Sequence, residues 1–285
     1  MAFHSTGIIW NSLKNDGIKA VRIILDVLNE YEISFTLDSH LTSILSMPEN
    51  KDKDHFRNCD FLIVLGGDGT ILQALDISVP SGIPILGINL GRLGFLSEIE
   101  TDSITEALKS VLEGSYRIEE RMLLCVDGFE PDRFFALNEI AFVRATQEVI
   151  TIGLEYYADN SFINRVSGDG LIVATSTGST GYSLSAGGPI VKPDLDCFIL
   201  TPICPHHLNV RPVVLSADAC ISVRADPKSN NARAVLDGRK IIELGPENGS
   251  ELHIRRSRRP ARFIRVHEEQ YFERLHNKLN DRIKF

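Results

Sequence analysis

The residue of this chain with the clearest chemical potential is Asp68, in the segment Gly66-Gly67-Asp68-Gly69-Thr70. An unbroken apolar run at residues 61–65 precedes it and predicts a strand buried on both faces. Residues 70–75 have helical spacing. A glycine turn between a strand and a helix N-terminus offers backbone N–H groups to phosphate oxygens. We therefore predict donor-phosphate contacts from Gly66, Gly67 and Thr70.

The carboxylate distinguishes this loop from other phosphate-binding turns. A negative charge near phosphates is repelled unless it holds a metal ion or bonds a hydroxyl group. The loop also lacks the Gly-Lys-Ser/Thr ending of a P-loop and the dinucleotide-binding G-x-G-x-x-G pattern. We interpret Asp68 as a working acid; the alternative is an ordinary tight turn. Arg92, in a second glycine turn at residues 90–96, is the candidate cation for the donor's phosphates.

A second chemical segment lies at residues 175–189, shortly after Asp169. It is dense in glycine and hydroxyl side chains, with one aromatic ring, Tyr182. Glycine lets the backbone approach a ligand closely, hydroxyls bind sugars and phosphates, and the ring can stack on a base. The segment is interpreted as a binding element, the alternative being a flexible Ser/Gly loop.

Three smaller groupings leave alternatives open. Asn138-Glu139 interrupts a strand pattern and is either a ligand contact or solvent-facing alternation. A cysteine near two histidines, at residues 204–207, suggests a metal site, but no second close pair completes it, so no metal ligand is assigned. Five consecutive positions with four arginines, 255–259, could bind nucleic acid; in an acidic chain a solvated turn is favoured.

Alternating strands and helices in the first half must position Asp68. Strands are predicted at residues 7–10, 33–37, 61–65 and 83–89, and helices at 14–31, 70–75 and 103–112, with Gly114 as a helix stop. This pattern predicts a parallel sheet with right-handed crossovers. Ligands of such sheets bind beyond the carboxyl ends of the strands, where both glycine turns lie.

The second half has a different pattern. Short strand-like segments joined by turns predict a sandwich-like or barrel-like β domain. They lie at residues 122–126, 134–143, 150–157, 171–174, 213–215, 219–223, 232–236, 240–244, 251–255 and 261–266. A helix follows at residues 268–279, with Tyr271, Phe272, Leu275 and Leu279 on one face, and needs a surface to pack on. We therefore predict an α/β domain at residues 1–115, a β-rich domain at 116–266, and a C-terminal helix at 267–285 that returns to the first domain.

Composition limits the class of protein. The chain has 285 residues, a net charge of −8 and 43% hydrophobic residues, which fits a globular protein with a substantial core and disfavours nucleic acid as a partner. No signal peptide or bilayer-spanning run is evident, so we expect a cytoplasmic protein without a membrane partner. The five scattered cysteines fit reduced thiols.

These motifs, in this order, resemble those of bacterial NAD kinases along nearly the whole chain. The loop at residues 66–70 alone is shared with lipid kinases and 6-phosphofructokinases. The resemblance becomes specific through the segments at residues 89–96, 138–139, 167–183, 201–206 and 237–238. The departure we note is Gly181, where many members carry alanine.

The resemblance implies phosphoryl transfer from ATP, or polyphosphate, to the adenosine-ribose 2′-hydroxyl of NAD, with Mg²⁺ or another divalent cation. It implies a Rossmann-like first domain and a homodimer or homotetramer. Asp68 would act as base or hydroxyl orienter. The NAD-binding residues it implies, besides Asp68, are Gly69, Phe95, Asn138, Glu139, Asp169, Thr177, Thr180, Gly181, Tyr182, Ser185, Cys204 and Asp237.

Two other functions compete with this one. A lipid or sugar kinase of the same superfamily would share the Asp68 loop, but a lipid kinase needs an apolar acceptor groove, which the hydroxyl-rich segment disfavours. A non-catalytic dinucleotide sensor would bind NAD without needing Asp68. A turnover assay separates the sensor from an enzyme.

Overall fold

A computed structural model of the chain describes residues 3–10, 17–47, 55–91, 94–145, 151–207, 209–226, 232–245, 249–267 and 271–281. The helices are α1 Gly17–Glu30, α2 Ser39–Ile44, α3 Asp68–Ser81, α4 Ile104–Leu112, α5 Tyr182–Ser185 and α6 Tyr271–Asp281. Short 3₁₀ turns occur at His55–Asn58, Thr101–Ser103 and Thr177–Thr180.

The strands alternate with these helices in the first part of the chain and follow one another in the second. They are β1 Ser5–Trp10, β2 Ser34–Leu37, β3 Phe61–Leu65, β4 Ile85–Asn89, β5 Ile99–Glu100, β6 Arg117–Arg121, β7 Leu124–Val126, β8 Phe135–Ala136, β9 Glu139–Arg144, β10 Ile152–Ala158, β11 Ser161–Gly168, β12 Gly170–Thr175, β13 Cys197–Ile203, β14 Val213–Ser216, β15 Ile221–Ala225, β16 Ala232–Leu236, β17 Lys240–Leu244, β18 Glu251–Arg256 and β19 Ala261–Arg265.

The first structural unit contains a sheet of order β2-β1-β3-β4-β19-β6, with β5 paired to β4. Strand β1 is parallel to β2 and β3, and β4 is parallel to β3, β5 and β19. Every residue of β3 and β4 is buried. Burial on both faces explains why their sequences are continuously apolar. The predicted α/β domain with a parallel sheet is confirmed.

Helices α1 and α4 bury their apolar stripes against this sheet. Ala20, Val21, Ile24, Val27 and Leu28 of α1 join one core cluster with residues of β1, β3, β4 and α4. Helix α4 ends before Gly114, whose φ of 85° is the left-handed conformation that glycine adopts without a Cβ penalty. The predicted helix at residues 103–112 and its glycine stop are both confirmed.

The second unit is a β-sandwich. Its two antiparallel sheets have the orders β11-β10-β15-β18-β7-β8 and β14-β13-β12-β9-β16-β17. Both sheets contribute to one core, which contains Phe142 of β9, Tyr156 of β10 and Phe198 of β13. The outer face of β12 and β13 is apolar as well and is covered by Ala186 and Val191. That second covering explains why every residue of β12 and β13 is buried.

The boundaries between units differ from the predicted ones. Residues up to Glu120 and residues from Ala261 onward form the first unit, and Arg121–Pro260 forms the second. Strand β19 is responsible, because Phe263 pairs with Ile85 of β4 in the parallel sheet. The strand predicted at residues 261–266 therefore exists but belongs to the first unit, not to the β-rich domain.

The C-terminal helix α6 is part of the first unit, as predicted. One of the four residues predicted on its apolar face does not point inward. Tyr271 is buried and Leu275 and Leu279 are partly buried, but Phe272 is 68% exposed. The partly buried positions next to this apolar stripe are occupied by Arg274 and Lys278.

The arginine-rich segment is a paired surface turn after β18. Arg255, Arg256 and Arg259 form ion pairs with Asp127, Asp196 and Asp132 at 2.7, 2.7 and 3.1 Å. The favoured interpretation, a solvated turn, is confirmed. All five cysteines are free thiols, as expected. None of the helices in the described part of the chain has the length and apolar character needed to cross a bilayer.

Candidate active site

The candidate site of the first unit is the glycine loop between β3 and α3. Gly67 precedes the helix in extended conformation, and Asp68 is the first helical residue. A Cβ at Gly66 would overlap the Thr70 side chain, so glycine is required there. A Cβ at Gly67 or Gly69 would meet no protein atom within 4 Å. These two glycines leave open space beside a helix N-terminus, where an anion is stabilised.

The Asp68 carboxylate is held by the second glycine turn. Its Oδ2 accepts the Phe95 N–H at 3.1 Å and its Oδ1 accepts the Leu96 N–H at 3.0 Å. The turns after β3 and β4 thus meet at the carboxyl end of the sheet, as predicted. Gly94 makes this approach possible, because a Cβ there would overlap Asp68 Oδ1 and lie 2.6 Å from Ser97 Oγ.

A lysine from α6 completes the surroundings of Asp68. Lys278 Nζ lies 3.1 Å from Asp68 Oδ2 and 3.9 Å from the centroid of the Phe95 ring. The predicted site residues Asp68 and Phe95 are therefore brought together, and Lys278 joins them. Sequence reasoning did not identify Lys278, although a lysine beside the apolar stripe of a terminal helix was the available signal.

The remaining predictions for this loop have different outcomes. Thr70 is 5% exposed, and its side chain packs under Gly66, so its side chain shapes the loop. Arg92, the candidate cation for the donor's phosphates, lies outside the described residues.

Buried charges support the second turn from behind. Arg265, which is 4% exposed, donates to the Leu96 carbonyl at 2.8 Å and to Glu119 at 2.6 Å. Glu98 lies 3.8 Å from Arg265 and accepts the His267 backbone N–H at 2.6 Å. Because Leu96 bonds both Asp68 and Arg265, this network fixes the backbone that orients the carboxylate.

The predicted site residues of the second unit are organised by Asp237. This side chain is 8% exposed and accepts the backbone N–H groups of Leu137, Asn138 and Glu139 at 2.7, 2.8 and 3.1 Å. Burial raises the pKa of Asp237, although the three N–H groups act against that change. Asp237 was expected at the mouth of the site; it is instead a buried anchor for the chain between β8 and β9.

Glu139 is buried rather than solvent-facing. Burial, and then the nearby Asp237 charge, raise the pKa of Glu139 to about 7, while a hydrogen bond from the Tyr182 backbone lowers it. Among the residues that the structure describes, Glu139 Oε2 has no hydrogen-bond partner. A Cβ at Gly181 would lie 3.1 Å from that atom. An unpaired buried carboxyl oxygen is costly and is satisfied by a proton or by a ligand hydroxyl.

The pKa of Glu139 makes stability depend on pH. The folded value of about 7 exceeds the ordinary value of 4.5, so the folded protein binds the extra proton between them. We expect the free energy of unfolding to fall as pH rises through 7, by up to roughly 3 kcal/mol. Glu139→Gln should remove this decrease in urea titrations at pH 5.5 and 8.5. Glu243→Gln, at an exposed position, is the control; an unchanged slope in Glu139→Gln would contradict the assignment.

The hydroxyl-rich segment folds into a 3₁₀ turn and α5. Gly178 is required because a Cβ there would overlap the Asn138 carbonyl. Thr177 accepts a bond from Arg121 at 3.3 Å, and the Thr180 hydroxyl donates to the Thr177 carbonyl at 3.4 Å. Both threonines are buried, so their hydroxyls hold the turn.

Tyr182 is the accessible ring of this segment. It is 42% exposed, and Ser185 on the same short helix is exposed as well. Burial first, and then nearby Asp169, Cys204 and Glu139, raise the pKa of Tyr182. These three predicted site residues therefore lie near the Tyr182 ring. Asp169 also pairs with Arg144 at 3.6 Å, and Cys204 is exposed.

We expect Tyr182→Ala to raise the KM for NAD, the substrate that the sequence resemblance implies, about ten-fold or more, because stacking on a base contributes about 1–3 kcal/mol. Stability should change little, since Tyr182 is 42% exposed and lies outside the hydrophobic core. Tyr182→Phe keeps the ring and should behave like the wild type in the same steady-state assay. An unchanged KM with a lowered melting temperature would show that Tyr182 is a packing residue.

Fold and site together define a class of protein. The chain combines a parallel sheet that presents an acid in a glycine loop with a β-sandwich that presents hydroxyls, a carboxyl and an exposed ring. Ligands of parallel sheets bind at that edge, and a carboxylate beside phosphate-binding N–H groups suits phosphoryl transfer to a hydroxyl. No cluster of three or more metal-binding side chains occurs among the described residues. The class is a nucleotide-binding phosphotransferase.

Comparison with known proteins identifies the family. Family models described as the ATP-NAD kinase N-terminal and C-terminal domains match residues 7–116 and 137–266. The NAD kinases of Heliobacterium modesticaldum and Desulforamulus reducens are 35% and 36% identical to this chain; they match 96% and 98% of it and 98% of their own lengths. The chain belongs to the ATP-NAD kinase family and is an enzyme of that family.

Solved structures agree with this assignment. The crystal structure of an NAD kinase from Archaeoglobus fulgidus in complex with ATP has 32% identity and a TM-score of 0.78, covering 97% of this chain and 98% of its own. Yeast NADH kinase complexed with NADH has 24% identity and a TM-score of 0.84, covering 98% of this chain and 88% of its own. The yeast protein shares the fold.

Proposed function

We propose that this enzyme transfers the terminal phosphoryl group of ATP, or of polyphosphate, to the adenosine-ribose 2′-hydroxyl of NAD, giving NADP. The observation that carries the proposal is the Asp68 carboxylate, held by two backbone N–H groups beside open space at Gly67 and Gly69. The Archaeoglobus fulgidus relative was solved with ATP, which supports ATP as donor.

Asp68 bonds the acceptor hydroxyl and takes or orients its proton as the phosphoryl group transfers. A carboxylate in this role contributes about 10²–10⁴ to the rate. The N–H groups at the start of α3 and at Gly67 bind phosphate oxygens, which supplies positioning and charge stabilisation. Gly69 and Phe95 line the acceptor side, close to Asp68.

The second unit binds the dinucleotide. The Oε2 atom of Glu139 has no hydrogen-bond partner among the described residues. In the proposed complex it accepts a hydrogen bond from an adenosine hydroxyl, and Asn138 bonds the same part of NAD. Tyr182 and Ser185 are exposed contacts, with Asp169 binding the nicotinamide-side ribose and Cys204 near one ring. Thr177, Thr180, Gly181 and Asp237 act by shaping this surface, since their side chains, where present, are buried in internal bonds.

Magnesium fits the loop as an ion carried mainly by the donor's phosphates. Mg²⁺ is commonly bound by one or two carboxylates plus substrate phosphates, and Asp68 is the carboxylate at the loop. When bound, the ion neutralises charge on the phosphates.

The decisive experiment incubates the purified protein with NAD, Mg²⁺ and either ATP or polyphosphate and measures NADP. NADP formation by the wild type and its loss in Asp68→Asn are expected. Binding of NAD without turnover would identify a dinucleotide sensor. Phosphorylation of diacylglycerol or of a sugar phosphate in parallel reactions, without NADP, would identify the other kinases of the superfamily.

We also propose a homodimer or homotetramer that works in the cytoplasm. Exposed apolar side chains support the assembly, including Phe272, Phe162 and Leu195 at 68%, 59% and 57% exposure. The five free thiols suit a reducing compartment. Light scattering on the assay preparation tests the assembly, and a fully active monomer at every dilution would refute it.

A further inference from the structure

The C-terminal helix α6 presents two cations on its partly buried side. Arg274 and Lys278 are four residues apart, so they lie one above the other on the helix. Tyr271 is buried next to them, while Phe272 and His276 face outward. Lysine and arginine seldom occupy an inward face without an anionic partner, and both have one here.

Arg274 interacts with the charged network behind the second glycine turn. Burial and the nearby Arg265 lower the pKa of Arg274, and the carboxylates of Glu98 and Glu119 act against that decrease. Arg265 in turn bonds the Leu96 carbonyl. Arg274 of helix α6 therefore lies near the same network that fixes the backbone around Asp68.

The Lys278 side chain extends from helix α6 to the Asp68 carboxylate. Its Nζ is 3.1 Å from Asp68 Oδ2, and the two side chains are only 22% and 31% exposed. The ammonium also lies 3.9 Å from the Phe95 ring centroid, a cation–π distance. Low exposure and two partners distinguish this pair from an ordinary surface salt bridge, which is screened by water.

The glycine loop itself has no cation. Residues 66–70 contain neither lysine nor arginine, whereas a P-loop includes a lysine that reaches the phosphates. A carboxylate at a phosphate site is repelled by its ligand unless a positive charge balances it. Lys278 supplies a positive charge at Asp68 from 210 residues further along the chain.

We propose that Lys278 is a positioning residue for Asp68, which keeps the carboxylate directed toward the acceptor hydroxyl. The proposal deepens the proposed function and rests on it. The Lys278 ammonium fixes one carboxylate oxygen, Oδ2, and leaves lone pairs of the other for the hydroxyl.

The test replaces Lys278 by methionine, which keeps the length of the side chain and removes its charge. We expect Lys278→Met to lower kcat about 10- to 30-fold, less than the loss of a fully buried catalytic donor, and to change the KM for NAD less than about three-fold. Lys278→Arg keeps the charge and should restore most of the rate.

Lys109→Met is the matched control. Lys109 also pairs with a carboxylate, Glu30 at 2.8 Å, and lies over an aromatic ring, Tyr31 at 5.9 Å, in the same structural unit but away from Asp68. Its loss should leave kcat and the KM for NAD unchanged. A normal or raised kcat in Lys278→Met would overturn the proposal, and so would a loss that follows a lowered melting temperature without rescue by arginine.

A second measurement separates this proposal from the proposed function. The ¹H–¹⁵N NMR signals of the Phe95 and Leu96 amides, which bond the Asp68 carboxylate, should shift in Lys278→Met and return in Lys278→Arg, whether or not NADP is formed. Absence of NADP formation by the wild type would refute the proposed function alone. Unchanged amide signals in an NADP-forming enzyme would refute the role of Lys278 alone.

Discussion

We expect Asp68→Asn to lower kcat for NADP formation by roughly 10²–10⁴, the usual contribution of general-base catalysis. The substitution keeps the shape of the side chain and removes its charge. Affinity for NAD should stay the same or rise slightly, because the value of the carboxylate lies in the transition state. Single-turnover rates, NAD binding and melting temperature are measured on one preparation.

The hydrogen bonds of Asp68 predict that Asp68→Asn also lowers the stability of the fold. Both carboxylate oxygens accept backbone N–H groups, so the amide of an asparagine places one donor against another. One unsatisfied donor costs about 1–3 kcal/mol, and the melting temperature should fall by a few degrees. Activity lost only in proportion to unfolding would instead identify a structural turn residue.

Asp60→Asn is the matched control for this substitution. Asp60 likewise accepts two backbone N–H groups, those of His4 and Ser5 at 2.7 and 2.9 Å, away from the glycine loop. Both N–H groups bond the same oxygen, Oδ2, so an asparagine can keep them, and Asp60→Asn should show a smaller loss of stability with normal kcat. Partial rescue of Asp68→Asn by high Mg²⁺ would indicate that Asp68 holds the ion. A folded Asp68→Asn protein with near-normal kcat would contradict the mechanism.

We expect Gly94→Ala to lower kcat by about 10²-fold without removing a functional group. A Cβ at this position would overlap Asp68 Oδ1, so the carboxylate must move. A displacement of about 1 Å at a reacting group can cost 10²-fold. Steady-state kinetics with ATP and NAD, compared with the wild type, measures the effect.

The control for Gly94→Ala is Gly245→Ala, where a Cβ would meet no atom within 4 Å. That variant should keep normal kcat. Because Gly94 acts through Asp68, the double variant Gly94→Ala/Asp68→Asn should be little worse than Asp68→Asn alone, since residues that act as a unit are not additive. Additive losses, or a normal rate in Gly94→Ala, would contradict the close approach described here.

The sequence determined the local chemistry of the candidate site residues in each unit. A strand, a glycine turn and a helix N-terminus are consecutive in the chain, so the position of Asp68 at the end of β3 follows from residues 61–75 alone. The same holds for the helix stop at Gly114 and for the exposed ring of Tyr182, which lies among small residues. These features depend only on residues that are close together in the chain, so they can be predicted without knowing which distant segments are in contact.

Some strands were missed because their local pattern is atypical. Strand β13 contains Pro202 and is buried on both faces, and β11 is mostly polar, with Phe162 exposed. Residues 134–143 read as one strand, yet the chain leaves one sheet after β8 and enters the other at β9. Packing between sheets, rather than residue pattern, decided these cases.

Only the tertiary structure decided what surrounds the acids. Lys278 reaches Asp68 across 210 residues, Arg265 reaches Leu96 across 169, and Asp237 anchors Leu137 across 100. Strand β19 likewise entered the first sheet and moved the unit boundary. Parallel pairing and buried ion pairs join segments far apart in the chain, and no periodicity within either segment encodes the partner. The sequence thus determined which groups can react, and long-range packing determined which groups hold them.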